Sequence, residues 1–190
     1  LESMQYVEEI TNSASKVSKT TVLSEDQFRL ISDWWHFAIL CLGKLKRPLK
    51  DPVYIARRLG ITLADAKMSV ERLERLGVLE PGGSEIKCIC DPIRVMSETP
   101  STAIQRSHLQ TLQLASEKLS QVDVKKRDYS AITMAIDPKN LDKAKKAIED
   151  FQDKMVKLLE PGEPSEVYTF SCQLFPVSII SDKNSEGDSK

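Results

Sequence analysis

The sequence predicts an α+β fold: a winged helix-turn-helix followed by a helix and a βαβ unit. Three observations lead there. Two short helical patterns with caps and closing glycines lie back to back between Asp51 and Gly77. An alternating hairpin pattern follows to Ile89. From Tyr129 to Pro176 a strand pattern, a helix pattern and a second strand pattern succeed one another. With 190 residues, 41% of them hydrophobic, the chain can bury the core of one ordinary domain or two small ones.

Residues 1–23, rich in Ser, Thr, Lys and Glu, read as a polar linker or weakly docked segment. The chain opens on Leu-Glu-Ser before Met4, which reads as a remnant or as the start of a fragment of a longer protein. Ser24 and Gln27 form a capping box for a helix with Phe28, Ile31, Trp35, Ala38 and Leu42 on one stripe. Leu30, Trp34, Phe37 and Cys41 make a second stripe. A helix apolar on two sides is covered on two sides, so Trp34 and Trp35 are expected to meet different neighbours. Trp34, Trp35 and Phe37 are candidate interface residues.

Asp51 and Pro52 cap the next helix, whose Val53, Ile55, Ala56 and Leu59 run to a stop at Gly60. Thr62 caps another, with Asp65 three residues on, and Leu63, Ala66, Val70 and Leu73 recur at helical spacing until Gly77. Val78-Leu79, the turn Glu80 to Ser84 and the alternation Ile86 to Ile89 predict the wing hairpin. The winged helix is expected over residues 24–97.

A helix and βαβ domain is expected over 98–180. Thr99-Pro100 starts a helix to about Leu119, with Ile104, His108, Leu112, Ala115 and Leu119 on its buried stripe. Tyr129 to Ile136 alternates as a strand. Asp137-Pro138 caps a helix with Leu141, Ala144, Ile148, Phe151, Met155 and Leu158 on a narrow stripe of the a/d type. Glu160-Pro-Gly-Glu-Pro164 ends it, and Val167 to Pro176 is the second strand. Residues 181–190 are polar or small and are expected to be disordered.

Lys and Arg number 27 against 28 Asp and Glu, a formal net charge of −1, so no global positive field attracts nucleic acid. Locally, Lys44, Lys46, Arg47, Lys50, Arg57 and Arg58 face only Asp51, a net +5 across fifteen residues that could hold phosphates. On the second helix of the motif only Lys67, Arg72 and Arg75 could read bases, against three acidic residues. These nine basic side chains are the candidate nucleic-acid or partner contacts.

The histidines, His36 and His108, sit among apolar residues and read as core histidines. His108 with Tyr129 is the alternative candidate for a small pocket. Cys88 and Cys90 form a CxC pair without CxxC partners, so the four cysteines read as reduced structural thiols and no metal site is expected. No nucleophile-and-base set or glycine-rich phosphate loop is present in the sequence; neither catalytic residues nor a cofactor is expected. No apolar run approaches the roughly 20 residues that span a bilayer, and no signal-peptide layout is seen, which gives a cytoplasmic expectation with no membrane partner.

Five segments then carry a resemblance: Ile31-Ser-Asp-Trp-Trp-His-Phe-Ala-Ile39, Ile55-Ala-Arg-Arg-Leu-Gly-Ile61, Leu73-Glu-Arg-Leu-Gly-Val-Leu79, Arg127-Asp-Tyr-Ser-Ala-Ile-Thr-Met-Ala-Ile-Asp-Pro138 and Val167-Tyr-Thr-Phe-Ser-Cys-Gln-Leu-Phe-Pro-Val177. Their order and spacing resemble the C-terminal domain of unknown function of an uncharacterised bacterial family of predicted transcriptional regulators. Members usually carry an N-terminal lambda-repressor-like helix-turn-helix, which this sequence lacks. The resemblance implies a non-enzymatic regulatory and dimerisation region, with itself or another protein as partner and DNA contacted through the missing N-terminal domain. A stand-alone interaction scaffold that has lost DNA binding and a direct winged-helix DNA binder are the alternatives.

Overall fold

The structure, a computed structural model, describes residue 26 and residues 28–87 and 102–179. The expected linker, the capping box at Ser24 and Gln27, the Cys88–Cys90 pair and the C-terminal tail therefore lie outside the described residues.

The described chain is built from helices. Residues 28–32 are helical, and α1 (Trp35–Leu42), α2 (Pro52–Leu59), α3 (Leu63–Arg75), α4 (Thr102–Gln121) and α5 (Leu141–Leu159) follow. α2 begins where Asp51 accepts from the Val53 and Tyr54 amides at 3.1 and 3.2 Å. It ends at Gly60, whose φ of 71° lies in the left-handed region that a side chain disfavours. The Thr62 hydroxyl accepts from the Asp65 amide at 3.0 Å to start α3. α2 packs on α3, with α1 behind α2. Ile39, Leu40, Leu42, Ile55, Leu73 and Leu79 are the centre of one hydrophobic core. These are two helices joined by a tight turn and written almost entirely in local signals.

The long helix expected from residue 24 to 42 is broken at Asp33 and Trp34. The Trp34 amide takes the Gln110 side-chain oxygen as acceptor at 3.2 Å, and the buried Asp33 carboxylate is taken up by Ser32, Gln110 and Arg106. Side chains from α4 thus take over contacts at the point where the helix gives way. Of the two expected stripes, Ala38 and Leu42 of one and Leu30 of the other are buried, while Phe28, Ile31, Trp34, Trp35, Phe37 and Cys41 are only partly so.

The α+β expectation is corrected in both halves. No wing hairpin forms over the described part of residues 78–89. The Val78 and Leu79 amides turn back to the Leu73 carbonyl at 2.9 and 3.1 Å, closing the end of α3, so they are not available to a partner strand. Residues 84–86 instead lie beside 48–50, joined by a single antiparallel bridge between Leu49 and Glu85 and by Lys50 donating its amide to the Ser84 carbonyl.

The βαβ unit is likewise absent among the described residues. Segments 129–136 and 167–176 carry no helix, turn or strand, a bend beginning only at 177, and no main-chain ladder joins them. Alternation states which faces differ and not whether another strand lies alongside. Each segment is held by side chains: Tyr129 donates to the Ala115 carbonyl, Tyr168 to the Lys126 carbonyl, and Phe170 packs edge-on against Phe151 of α5 at 5.7 Å.

The expected stripe of α4 also shifts. Its buried residues are Ala103 and Ser107, while Leu112 and Leu119 are exposed, so the helix docks by its first turns. α5 follows a 3-10 turn, Pro138–Asn140, that Asp137 caps. None of its side chains is fully buried.

Candidate nucleic-acid and partner interface

The nine basic candidates separate into three groups. Arg72 and Arg75 lie one turn apart near the end of α3, and both turn towards Asp26. Arg72 Nε reaches Asp26 Oδ1 at 3.0 Å, and Arg75 Nε and Nη2 reach its two oxygens at 2.9 and 3.0 Å. Burial pushes the Asp26 carboxyl up, but hydrogen bonds from Arg75 and Arg72, with their charges, outweigh it and hold the group below the usual carboxylate range. Two of the three base-reading candidates are thus committed to a buried carboxylate.

The same guanidinium continues inward. Arg72 Nη1 lies 3.1 Å from His36 Nε2, and His36 Nδ1 lies 3.1 Å from the Asp33 carbonyl. These partners fix the tautomer: Nδ1 carries the proton and donates, and Nε2 accepts. Burial, then the Arg72 charge, lowers the His36 pKa to about 4. Beside it, the Trp35 indole donates to Ser69 of α3 at 2.9 Å, while the Trp34 ring stacks edge-on against Trp35 at 5.9 Å and the Trp34 main-chain amide donates to Gln110. Phe37 packs half-buried on the core. The described contacts of both tryptophans, their mutual stacking included, are internal to this chain.

Lys50 forms a second group by itself. Its ammonium donates to Glu74 of α3 at 2.8 Å, to the Glu80 carbonyl at 2.7 Å and to the Gly82 carbonyl. The side chain is only 7% exposed. It fastens the turn 80–84 to α3 and offers nothing to an external phosphate.

The third group is the surface one. Lys44, Lys46 and Arg47 lie on the loop before α2, Arg57 and Arg58 near its C-terminus, and Lys67 on the outer side of α3. Arg47, Arg57 and Lys67 are exposed and make no ion pair among the described residues. Lys44, Lys46 and Arg58 meet an acidic turn from the far end of the chain. Lys44 Nζ lies 3.0 Å from Glu160, Lys46 pairs with Glu163, and Arg58 donates to the Ser165 carbonyl at 2.8 Å and to Glu166 at 3.2 Å. Val167, the next residue, packs on the core and anchors the turn. Exposed pairs of this kind contribute about 0–1 kcal/mol each.

The pocket candidates are not drawn together. His108 is half-buried on α4, whereas the Tyr129 hydroxyl meets that helix at Ala115, two turns and roughly 10 Å further along its axis. The Tyr129 ring instead carries the Arg127 guanidinium 5.4 Å from its centre. Among the described residues no group of three His, Cys, Asp or Glu side chains is placed to hold a metal ion.

The site residues that sequence reasoning missed are Asp26, Asp33, Ser69, Gln110 and the three glutamates of the turn. Only the turn left a signal: Glu160, Glu163 and Glu166 recur every third residue around Pro161-Gly162 and Pro164, opposite in sign to the run at 44–58.

The family model described as a domain of unknown function (DUF4423) matches residues 14–177, more than four fifths of the chain. The chain belongs to the DUF4423 family. Neither a curated protein nor a solved structure matches it. The match to DUF4423 spans the α2–α3 pair, the acidic turn and both alternating segments, so these belong to one family unit. Among the described residues of this DUF4423 chain, no helix is long and apolar enough to cross a membrane.

Proposed function

We propose that this chain is the regulatory and dimerisation region of a bacterial transcription-regulator-like protein, non-enzymatic and acting by binding a partner. The observation that supports the reading most is the apolar surface of the alternating segments. Ile132 is 82% exposed and Val177 79%, with Met134, Ile136, Tyr168 and Phe175 exposed around them. The backbone amides and carbonyls of 129–136 and 167–176 make no main-chain hydrogen bonds among the described residues. Apolar surface on this scale marks contact with another protein, and main-chain groups without partners in the chain are open to a second one.

A second support is the use of α3. A helix that reads bases directs Arg or Lys outward, and here Arg72 and Arg75 serve the fold while Lys67 alone is free among the three candidates. The resemblance to transcriptional regulators supplies the biological setting, in which a separate N-terminal domain contacts the operator.

Sedimentation velocity across a wide concentration range tests the reading. A dimer that dissociates when Ile132 and Val177 are both changed to Lys is the expected result; both are exposed, so the fold tolerates the change. A mass that stays monomeric at every concentration would sink the dimerisation part.

A further inference from the structure

The acidic turn on the basic loop has no role in the core and none in the proposed dimer surface. Its three carboxylates, at 160, 163 and 166, each meet a different cation on or just before α2: Lys44, Lys46 and Arg58. In helix-turn-helix complexes the first helix of the motif crosses the DNA backbone. These cations lie on the loop before α2 and at the C-terminal end of α2, the first helix of the pair, with Arg47 and Arg57 exposed beside them.

We propose that Lys44, Lys46, Arg47, Arg57 and Arg58 form a surface for the phosphate backbone of duplex DNA, and that the turn 160–166 occupies it as an internal substitute. The glutamates stand where phosphates bind. Several of the paired side chains stay open to water: Lys46 and Glu163 are 68% and 76% exposed, and Glu166 is 61% exposed. Exposed, salt-screened pairs hold the turn loosely enough for a polyanion of higher charge density to displace it. Val167, packed on the core, keeps the displaced turn tethered. The surface contributes sequence-independent affinity, because phosphate contacts position a protein without reading bases.

The test is fluorescence anisotropy of a labelled generic duplex with the full chain at several salt concentrations. The Glu160→Gln/Glu163→Gln/Glu166→Gln variant is expected to bind at least about tenfold tighter than the native chain at low salt. Its salt slope should steepen by up to about 2.7, the value for three phosphates neutralised. A charge-matched control, Glu117→Gln/Asp128→Asn/Asp142→Asn, should gain far less, and adding Lys46→Glu/Arg58→Glu to the triple variant should abolish the gain. Glu163→Gln alone should shift affinity in the same direction, which keeps the test open if the triple variant folds poorly. A folded triple variant that binds no tighter than the native chain, or a control that gains as much, overturns the proposal. The inference does not rest on self-association, so it and the dimer reading fail independently.

Discussion

Arg72 holds His36 as a neutral acceptor: the guanidinium nitrogen and the imidazole Nε2 are 3.1 Å apart, with the Nδ1 proton donated to the Asp33 carbonyl. A cation donating to an imidazole is tolerable only while the ring carries no charge. Protonation would place two positive groups in hydrogen-bond contact within the core.

Stability should therefore depend on pH through His36. Its pKa falls from 6.5 to about 4 on folding, so between those values the unfolded chain binds the extra proton. The contribution is fully present above about pH 6.5 and is lost as pH falls towards 4. The loss is up to roughly 1.4 kcal/mol per pH unit within that window and about 3 kcal/mol in all. Urea denaturation at a series of pH values should show this slope, and His36→Gln should flatten it. An equally steep slope in the variant would assign it to other groups.

Asp26 should be the most sensitive charged position. Asp26→Ala removes the acceptor of Arg72, which is mostly buried, and of Arg75, which is half-exposed and can turn to water. The expected cost is about 3 kcal/mol, most of it from Arg72 left unpaired. A loss under about 1 kcal/mol by chemical denaturation would mean the pair is not maintained in solution.

Ser69→Ala should cost about 1–2 kcal/mol, because it strands the Trp35 indole N–H in a part-buried site. The double change Trp35→Phe with Ser69→Ala should recover part of that, since neither side then keeps an unmet partner. Simple addition of the two single effects in denaturation experiments would argue against the coupling.

At Gly60 the backbone rather than space decides. A methyl group there meets nothing within 4 Å, but φ is +71°. Gly60→Ala should cost about 1–2 kcal/mol from the left-handed conformation alone. A neutral change in melting temperature would show that the α2–α3 turn relaxes to another conformation.

The α2–α3 pair was legible because its instructions are local. Asp51, Gly60, Thr62 and Gly77 each act within a few residues of their own positions. What escaped sequence reasoning depends on distant partners. The break at Asp33 and Trp34 involves Gln110 and Arg106, more than seventy residues away. Arg72 and Arg75 looked available because Asp26, which claims them, lies 46 and 49 residues upstream. The alternating segments 129–136 and 167–176 misled, because alternation states which faces differ and not whether another strand lies alongside, and neither segment forms a strand. The basic run at 44–58 was visible as charge, but its cover of glutamates arrives from the other end of the chain.

Lys50 spends all three of its protons on other parts of the chain: a carboxylate of α3 and two carbonyls of the turn 80–84. The ammonium charge seats the turn together with the Lys50 amide bond to Ser84, the Leu49–Glu85 bridge and the Lys87–Glu80 pair. Acetylation of that one amine would remove the charge and leave two of the three carbonyl and carboxylate acceptors without a donor, so the 80–84 turn would be held only by its main-chain bond at Ser84, the bridge beside it and the Lys87–Glu80 pair. A planar arginine at this position could not satisfy three acceptors arranged around a point, and so the exchange of one cation for another here would be a change of architecture.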